Sequence, residues 1–486
     1  MKKIDIDGIR TILFDNKTIK QTIFKNTFWL GVATGVSKFL KLILFIYIAR
    51  ILGATEYGKF TFAFAFIGLF IIFADLGLFQ IIIREFARKK EKEKEFSNLL
   101  SLKILLCLGT LVLIFIGSFF ITPDPLLQKI IWILAFCIVI ESFFGIIFAF
   151  LQARQKMEYQ SFAIVLESLV ATGGGLFVLF YFPSVQNLSY SYLLAAFITL
   201  IFTLFFFHFK IQRIFFNWDK LIWQKFLSLS WPLALAGLFS TIYNSTDSVM
   251  LGYFGQITQT GWYNAAYRII GVTLVPAGLI ATSFFPALSL AFREGKERLQ
   301  RIWNYQMEIM ILLAVPLVIG GIALAPRIID WIYDPSYFPS ILAFQILIVM
   351  AGISFLSGPF GQVLVVSNQQ KKLFWITLSG AIINAILNLI LIPRYSLYGA
   401  AATTVVTLLL IFFLLFHFTS KLTPIRPFNL KSLASFFGAI LASIPMYFVI
   451  TQPPIYHLNV LITVLIGALV YFFTFFILKT VLKYSI

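Results

Sequence analysis

The chain has 486 residues, of which 60% are hydrophobic and only 12% charged, with a formal net charge of +18. A soluble globular domain carries about 25% charged residues. Composition therefore excludes a water-soluble chain, along with the roughly three soluble domains that length alone would suggest.

Apolar stretches of about 20 residues, the length that crosses a bilayer as a helix, recur throughout. They are expected at 27–49, 60–83, 98–121, 129–152, 161–183, 189–211, 228–254, 264–291, 305–325, 339–366, 374–393, 396–418, 433–451 and 458–480. In lipid every backbone N–H and C=O must be satisfied internally, so such stretches are helices. A β-barrel needs alternating strands of about 10 residues, and runs such as 104–120 and 460–478 do not alternate. The expected fold is all-α and polytopic, with about 14 transmembrane helices. The organisation reads as a cytoplasmic segment 1–24, a six-helix lobe 25–212, a second six-helix lobe 220–420, and two additional helices within 430–486. The first 24 or so residues are mixed and charged, so span 1 is expected to act as its own insertion signal. Pro232, Pro276, Pro286, Pro316, Pro359 and Pro445 fall inside spans, where proline kinks a helix.

Lys and Arg orient the spans. With the N-terminus inside, the cytoplasmic segments hold 29 basic residues and the opposite side only five: Arg50, Lys59, Lys129, Arg327 and Arg394. Both termini are expected in the cytoplasm and the chain in the plasma membrane. This distribution accounts for the positive charge without nucleic acid, because the basic residues lie on many short loops that face anionic lipid. Every loop is short, so no soluble catalytic domain fits and no enzyme is expected.

The chain also repeats itself. Leu52-Gly53 followed by Tyr57-Gly58 matches Leu251-Gly252 followed by Gly261-Trp262-Tyr263, a shift of 199 on the Leu-Gly pairs. The sixth span ends Phe207-His208-Phe209-Lys210 and the twelfth ends Phe416-His417-Phe418. Each half holds six helices and begins on the same side, so the repeats are parallel. In transporters built this way the substrate site lies between the halves near the midplane. The two histidines read most simply as side chains reaching for the interface.

One stretch imitates a nucleotide site. Residues 53–59 fit G-x-x-x-x-G-K, but Phe60 stands where Ser or Thr would hold magnesium, and the context is a turn between membrane helices. No metal-ligand cluster is found and no cofactor is expected. Cys107 and Cys137 lie in apolar runs and read as small buried hydrophobes. Ionisable residues inside spans say more, because each costs about 2.5–3.5 kcal/mol at the bilayer centre and therefore lines a cavity or finds a partner. Span 1 carries Thr27, Gly31, Thr34, Lys38 and Lys41 on one face. Span 7, its counterpart, carries Ser240, Thr241, Asn244, Ser245, Thr246, Asp247 and Ser248. Asp75, Glu141, Glu167 and Arg268 complete the set. Pairing of these acids with the lysines as buried bridges is the competing reading.

Several stretches together resemble the polysaccharide transporters, the O-antigen flippase type, of the multidrug/oligosaccharidyl-lipid/polysaccharide exporter superfamily. They are Ala49-Arg50-Ile51-Leu52-Gly53 with Tyr57-Gly58, Asp75-Leu76-Gly77, and Asp247-Ser248-Val249-Met250-Leu251-Gly252 with Gly261-Trp262-Tyr263 and Tyr267-Arg268. Pro276, Pro286, residues 384–393 and Gly399-Ala400-Ala401 follow in order. The resemblance covers most of residues 20–420. It implies a substrate: an oligosaccharide on a polyprenyl pyrophosphate, moved from the cytoplasmic to the outer leaflet by alternating access. A lipid II flippase and a cation-coupled multidrug exporter of the same superfamily are the alternatives. On this reading Lys38, Lys41 and Arg268 would bind the phosphates, while Thr34, Ser240 and Asn244 would bind sugar. Asp247 and Asp75 become the candidates for a coupling Na+ or H+. Lipid-linked oligosaccharide and membrane lipids are the implied partners, with polysaccharide polymerase or ligase machinery as a further candidate.

Overall fold

A computed structural model describes residues 18–88, 93–427 and 430–481. The helices in chain order are α1 (Ile19–Asp75), α2 (Leu78–Arg88), α3 (Glu93–Ile121), α4 (Pro125–Ala153), α5 (Met157–Tyr181), α6 (Val185–Lys210) and α7 (Lys220–Tyr253). They continue as α8 (Ile257–Thr273), α9 (Val275–Glu294), α10 (Lys296–Ile332), α11 (Pro339–Val366), α12 (Gln370–Leu422), α13 (Leu430–Thr451), α14 (Pro453–Tyr456) and α15 (Val460–Val481). The protein is an all-α, multi-pass membrane protein, and no strand occurs among the described residues.

Several helices differ in extent from the apolar runs. α1 and α12 each hold two spans that run on through a break. Gly53 breaks α1 with φ 74°, and Ser396 breaks α12 with φ 54°. Conversely, α1–α2 and α8–α9 each divide one span. Counted by these breaks, the described residues hold 14 span-length helical segments, the number expected. α1 starts at Ile19, earlier than the apolar run, because Thr18 caps it: its Oγ1 accepts the Gln21 N–H at 3.2 Å. Pro276 stands at the break within a span, two residues after Leu274. It opens α9, where the missing N–H of proline costs nothing. Pro326 and Pro393 also lie inside helices. The stretch that imitates a nucleotide site is the helix break itself, and Lys59 pairs with Glu56 at 2.7 Å.

The chain forms two compact units, Met1–Val249 and Met250–Ile486. In the first, α1 packs along α3, α4 and α5, and α4 packs on α6. Its core is rich in phenylalanine: Phe86, Phe96, Phe144, Phe150, Phe207 and Phe226 are buried together, with Phe96 and Phe150 ring centroids 4.6 Å apart. α7 docks on this unit through small residues. Gly77, at φ 74°, lies so close to α7 that a Cβ there would sit 2.7 Å from Ser230 O and 3.0 Å from Ala234 N. Both are backbone atoms and cannot swing away. Gly77→Ala is therefore expected to destabilise the protein by at least 2 kcal/mol, combining left-handed strain with overpacking. A thermal unfolding scan in detergent would show it, and an unchanged midpoint would contradict this packing.

In the second unit α11 packs against α8, α10 and α12. α13 and α15 lie on α10, and their Ala439, Ala442, Met446 and Tyr471 join Trp303, Met307 and Phe360 in one core. Tyr471 donates to Leu312 O at 3.0 Å, and Arg327 bonds Thr463 Oγ1 at 3.1 Å and Leu458 O.

One hydrogen-bonded turn recurs along the chain. After α4, the N–H groups of Arg154, Gln155 and Lys156 bond Phe150 O, Gln152 O and Leu151 O. After α11, those of Ser367, Asn368 and Gln369 bond Val363 O, Val365 O and Leu364 O. Gln155 and Asn368 hold the left-handed position, at φ 58° and 60°. The same turn closes the fourth helix of each half, and it recurs after α7, where the N–H groups of Phe254, Gly255 and Gln256 bond Met250 O, Gly252 O and Leu251 O.

Candidate functional site

The polar stripe of span 1 lies on the first arm of α1. This arm buries Ala33, Ser37 and Leu44 against the unit. Thr34 and Lys38 lie beside that buried face and are exposed. Gly31 and Gly35 have open space where a side chain would stand. Approach to α5 is close, since a Cβ on Gly175 would meet Leu44 Cδ1 at 2.8 Å, and Ser168 Oγ sits 2.6 Å from Ser37 Oγ.

Lys41 and Lys38 meet different surroundings. Lys41 Nζ is 3.2 Å from Glu167 Oε1 on α5. Glu141 of α4 lies beside this pair, within reach of both charges. The Cys137 thiol is 3.6 Å from Glu141 Oε1 and 3.6 Å from Tyr192 O. Three helices thus bring one lysine and two carboxyls together inside the bilayer. The bridge reading holds for Lys41 and Glu167. Among the described residues no acid stands within ion-pair distance of Lys38. The acids near Lys41 come from α4 and α5, not from the matching helix of the other half.

A second buried pair occupies the same unit. Lys103 is 1% exposed, and its Nζ lies 3.0 Å from Asp75 Oδ1 and 2.9 Å from Ser142 Oγ. Asp75 closes α1 and also faces the Phe79 N–H at 3.4 Å. Ser142 follows Glu141 on α4, so adjacent residues of one helix serve the two charge clusters. A third sits at the start of α1. Lys25, fully buried, is 3.0 Å from Glu158 Oε2 and donates to Gln155 O at 3.0 Å, while Asn26 Nδ2 donates to Gln155 Oε1 at 2.5 Å. Neither Lys103 nor Lys25 stands out in the sequence. The signal that would have found Lys103 is its isolation within an apolar run.

The remaining candidates lie on α7 and α8. On α7, Asn244 is exposed and Asp247 is 7% exposed, and both are engaged in interactions of their own. Ser240 falls outside the described side chains. Arg268, half-buried on α8, belongs to the second unit and is likewise engaged. Among the described residues no cluster of metal-ligating side chains occurs.

Chemically, the stripe offers an exposed ammonium with three donors, flanked by a hydroxyl and by open backbone. Such a surface suits a multiply charged anion with polar substituents.

Comparison with known proteins follows this outline. A family model described as polysaccharide biosynthesis protein matches residues 23–292. The probable low-salt glycan biosynthesis flippase Agl15 of Haloferax volcanii is 22% identical over 392 residues, covering 78% of this chain and 80% of that one. The probable flippase AglR of the same organism is 26% identical over 163 residues, 33% of this chain and 34% of that protein. Among solved structures, the lipid II flippase MurJ in an inward closed conformation shares the fold. Its TM-score is 0.76 at 18% identity, over 93% of this chain and 99% of that one. An inward-facing multidrug resistance MATE family transporter of the MOP superfamily matches with TM-score 0.64 and 18% identity, over 79% of this chain and 95% of that one.

Proposed function

Because the chain belongs to the polysaccharide biosynthesis protein family, we propose that it is a flippase for a polyprenyl-pyrophosphate-linked oligosaccharide. It carries this cargo from the cytoplasmic to the outer leaflet by alternating access and catalyses no chemical step. Two relatives named as probable flippases support this reading, as does the fold shared with a lipid II flippase.

The observation that carries the proposal is Lys38, an exposed ammonium within a spanning helix and free of any acid among the described residues. A charge kept at that depth without a partner costs about 2.5–3.5 kcal/mol. A pyrophosphate passing along α1 offsets that cost, because Lys binds phosphate as a point charge. Thr34 and Asn244 supply hydrogen bonds for sugar, and Arg268 a second cation. The lipid tail never leaves hydrocarbon, so only the head group needs a polar path. Reconstituted protein should flip a fluorescent polyprenyl-pyrophosphate oligosaccharide, read by quenching from one side. Competition by lipid II or by cationic drugs, with no flipping of the oligosaccharide lipid, would assign a different cargo.

Asp247 and Asp75 are the candidates for a coupling ion; Asp247 is buried on α7, and Asp75 is held by Lys103. Asp247→Asn is expected to remove the pH or sodium dependence of flipping and slow it about tenfold. Unchanged dependence on both would remove Asp247 from coupling.

The protein resides in the plasma membrane with both termini cytoplasmic, beside the polymerase or ligase that uses its product. Both native cysteines are buried, so single introduced cysteines report cleanly. Gln186→Cys should label from outside intact cells, and Lys371→Cys only after permeabilisation. The reverse pattern would invert the topology.

A further inference from the structure

α6 ends at Lys210, and the chain folds back over that end before α7 begins at Lys220. The N–H groups of Ile211 and Gln212 bond Phe207 O at 3.0 and 2.9 Å, so the last turn of α6 is closed from within. Ile214 N–H then donates to His208 Nδ1 at 3.2 Å. This contact curls the linker into an open cup of about 560 Å³, lined by His208, Phe209, Lys210, Gln212, Arg213 and Phe215. Because Nδ1 accepts, the neutral ring carries its proton on Nε2, leaving a donor for a ligand.

The cup is lined by two basic side chains, Lys210 and Arg213, and by no acid among the described residues. Neither Lys210 nor Arg213 pairs with an acid among the described residues. The acid that follows in sequence, Asp219, is occupied in capping α7, where it accepts from Leu221 N–H at 2.9 Å. Phe209 and Phe215 in the wall of the cup are 67% and 57% exposed, and Trp218, three residues further along the linker, is 64% exposed. Tryptophan settles at the level of lipid head groups, and the cup lies at the end of a spanning helix with apolar rings open to acyl chains.

We propose that this cup binds the phosphate head group of an anionic membrane lipid in the leaflet that meets this end of α6. The cations and the imidazole N–H take the phosphate oxygens, with Arg213 able to engage two at once. The exposed rings lie along the glycerol and upper acyl chains, which a soluble anion would leave without contact. The site is independent of the cargo and would be occupied whatever the protein transports.

Native mass spectrometry of the full chain from nanodiscs tests this, using phosphatidylcholine alone or with phosphatidylglycerol. One phosphatidylglycerol per protein is expected to resist delipidation. Lys210→Ala with Arg213→Ala should weaken its retention about thirtyfold, from two surface cations. Lys210→Arg with Arg213→Lys should retain most of it, and that variant guards against misfolding of the alanine protein. Equal retention by wild type and the double alanine protein would overturn the site. Displacement of the lipid by millimolar inorganic phosphate would also overturn it, by making the ligand a free anion. Equal retention of phosphatidylcholine would do the same, by removing the role of charge.

Discussion

Lys38→Ala is expected to lower the flipping rate of reconstituted protein about a hundredfold while leaving membrane insertion and thermal stability unchanged. The two halves of this expectation have one origin. Lys38 makes no ion pair among the described residues, so its removal leaves no buried charge stranded. A charge-assisted contact to phosphate that is lost entirely costs about 2–5 kcal/mol, and a hundredfold lies within that range. Lys38→Arg should keep part of the rate. Lys41 should behave differently. Its removal leaves Glu141 and Glu167 side by side without their cation, so Lys41→Ala should lose both transport and stability. Exchanging the charges, Lys41→Glu with Glu167→Lys, should then restore stability. Wild-type flipping by Lys38→Ala would end the cationic-path mechanism. Stability loss in Lys38→Ala would show that its environment is not the open one described.

The second large effect is on stability. Asp75→Ala strands Lys103, whose side chain is 1% exposed within the helical bundle. Removing one partner of a buried pair destabilises by about 3–5 kcal/mol, whereas replacing both with apolar groups is often neutral. The single variant should therefore unfold well below the wild type in a detergent thermal scan. Asp75→Leu combined with Lys103→Met should recover most of the loss. If the double variant is stable but transports at the wild-type rate, Asp75 has no coupling role. Stability of the single variant equal to wild type would mean that Lys103 finds another acceptor beyond Ser142.

What was legible in the chain divides by length scale. Spans such as α4 and α11 follow from local composition, because lipid permits only a self-satisfied backbone. The breaks at Gly53 and Ser396 fall where apolar runs meet a small or polar residue, and both were expected as boundaries between spans. The repeat was legible from two Leu-Gly pairs and two histidines. The structure adds a matched turn centred on Gln155 and Asn368, which differ in residue type and share only a backbone conformation. Ion pairing was the least accessible. Lys41 and Glu167 are 126 residues apart, Lys103 and Asp75 28, and each pair joins different helices. Nothing in the spacing along either helix decides which lysine meets which acid. That choice separates Lys38, left open, from Lys41, engaged one turn away. Pro276 was read as a kink within a span, and the structure breaks that span at Leu274, with Pro276 in the first turn of α9.

The second unit closes its core with residues from the end of the chain: Met446 on α13 and Tyr471 on α15 pack with Trp303 and Phe360. The first unit ends at Val249. At ordinary synthesis rates the first unit can therefore be complete about 10–50 s before the second has all its parts. During that interval α10 lies in the bilayer with lipid where α13 and α15 will stand. Premature termination after α12 would thus leave the first unit whole and the second permanently unfinished. Nonsense variants late in this chain should accordingly be cleared by membrane quality control as fully as early ones.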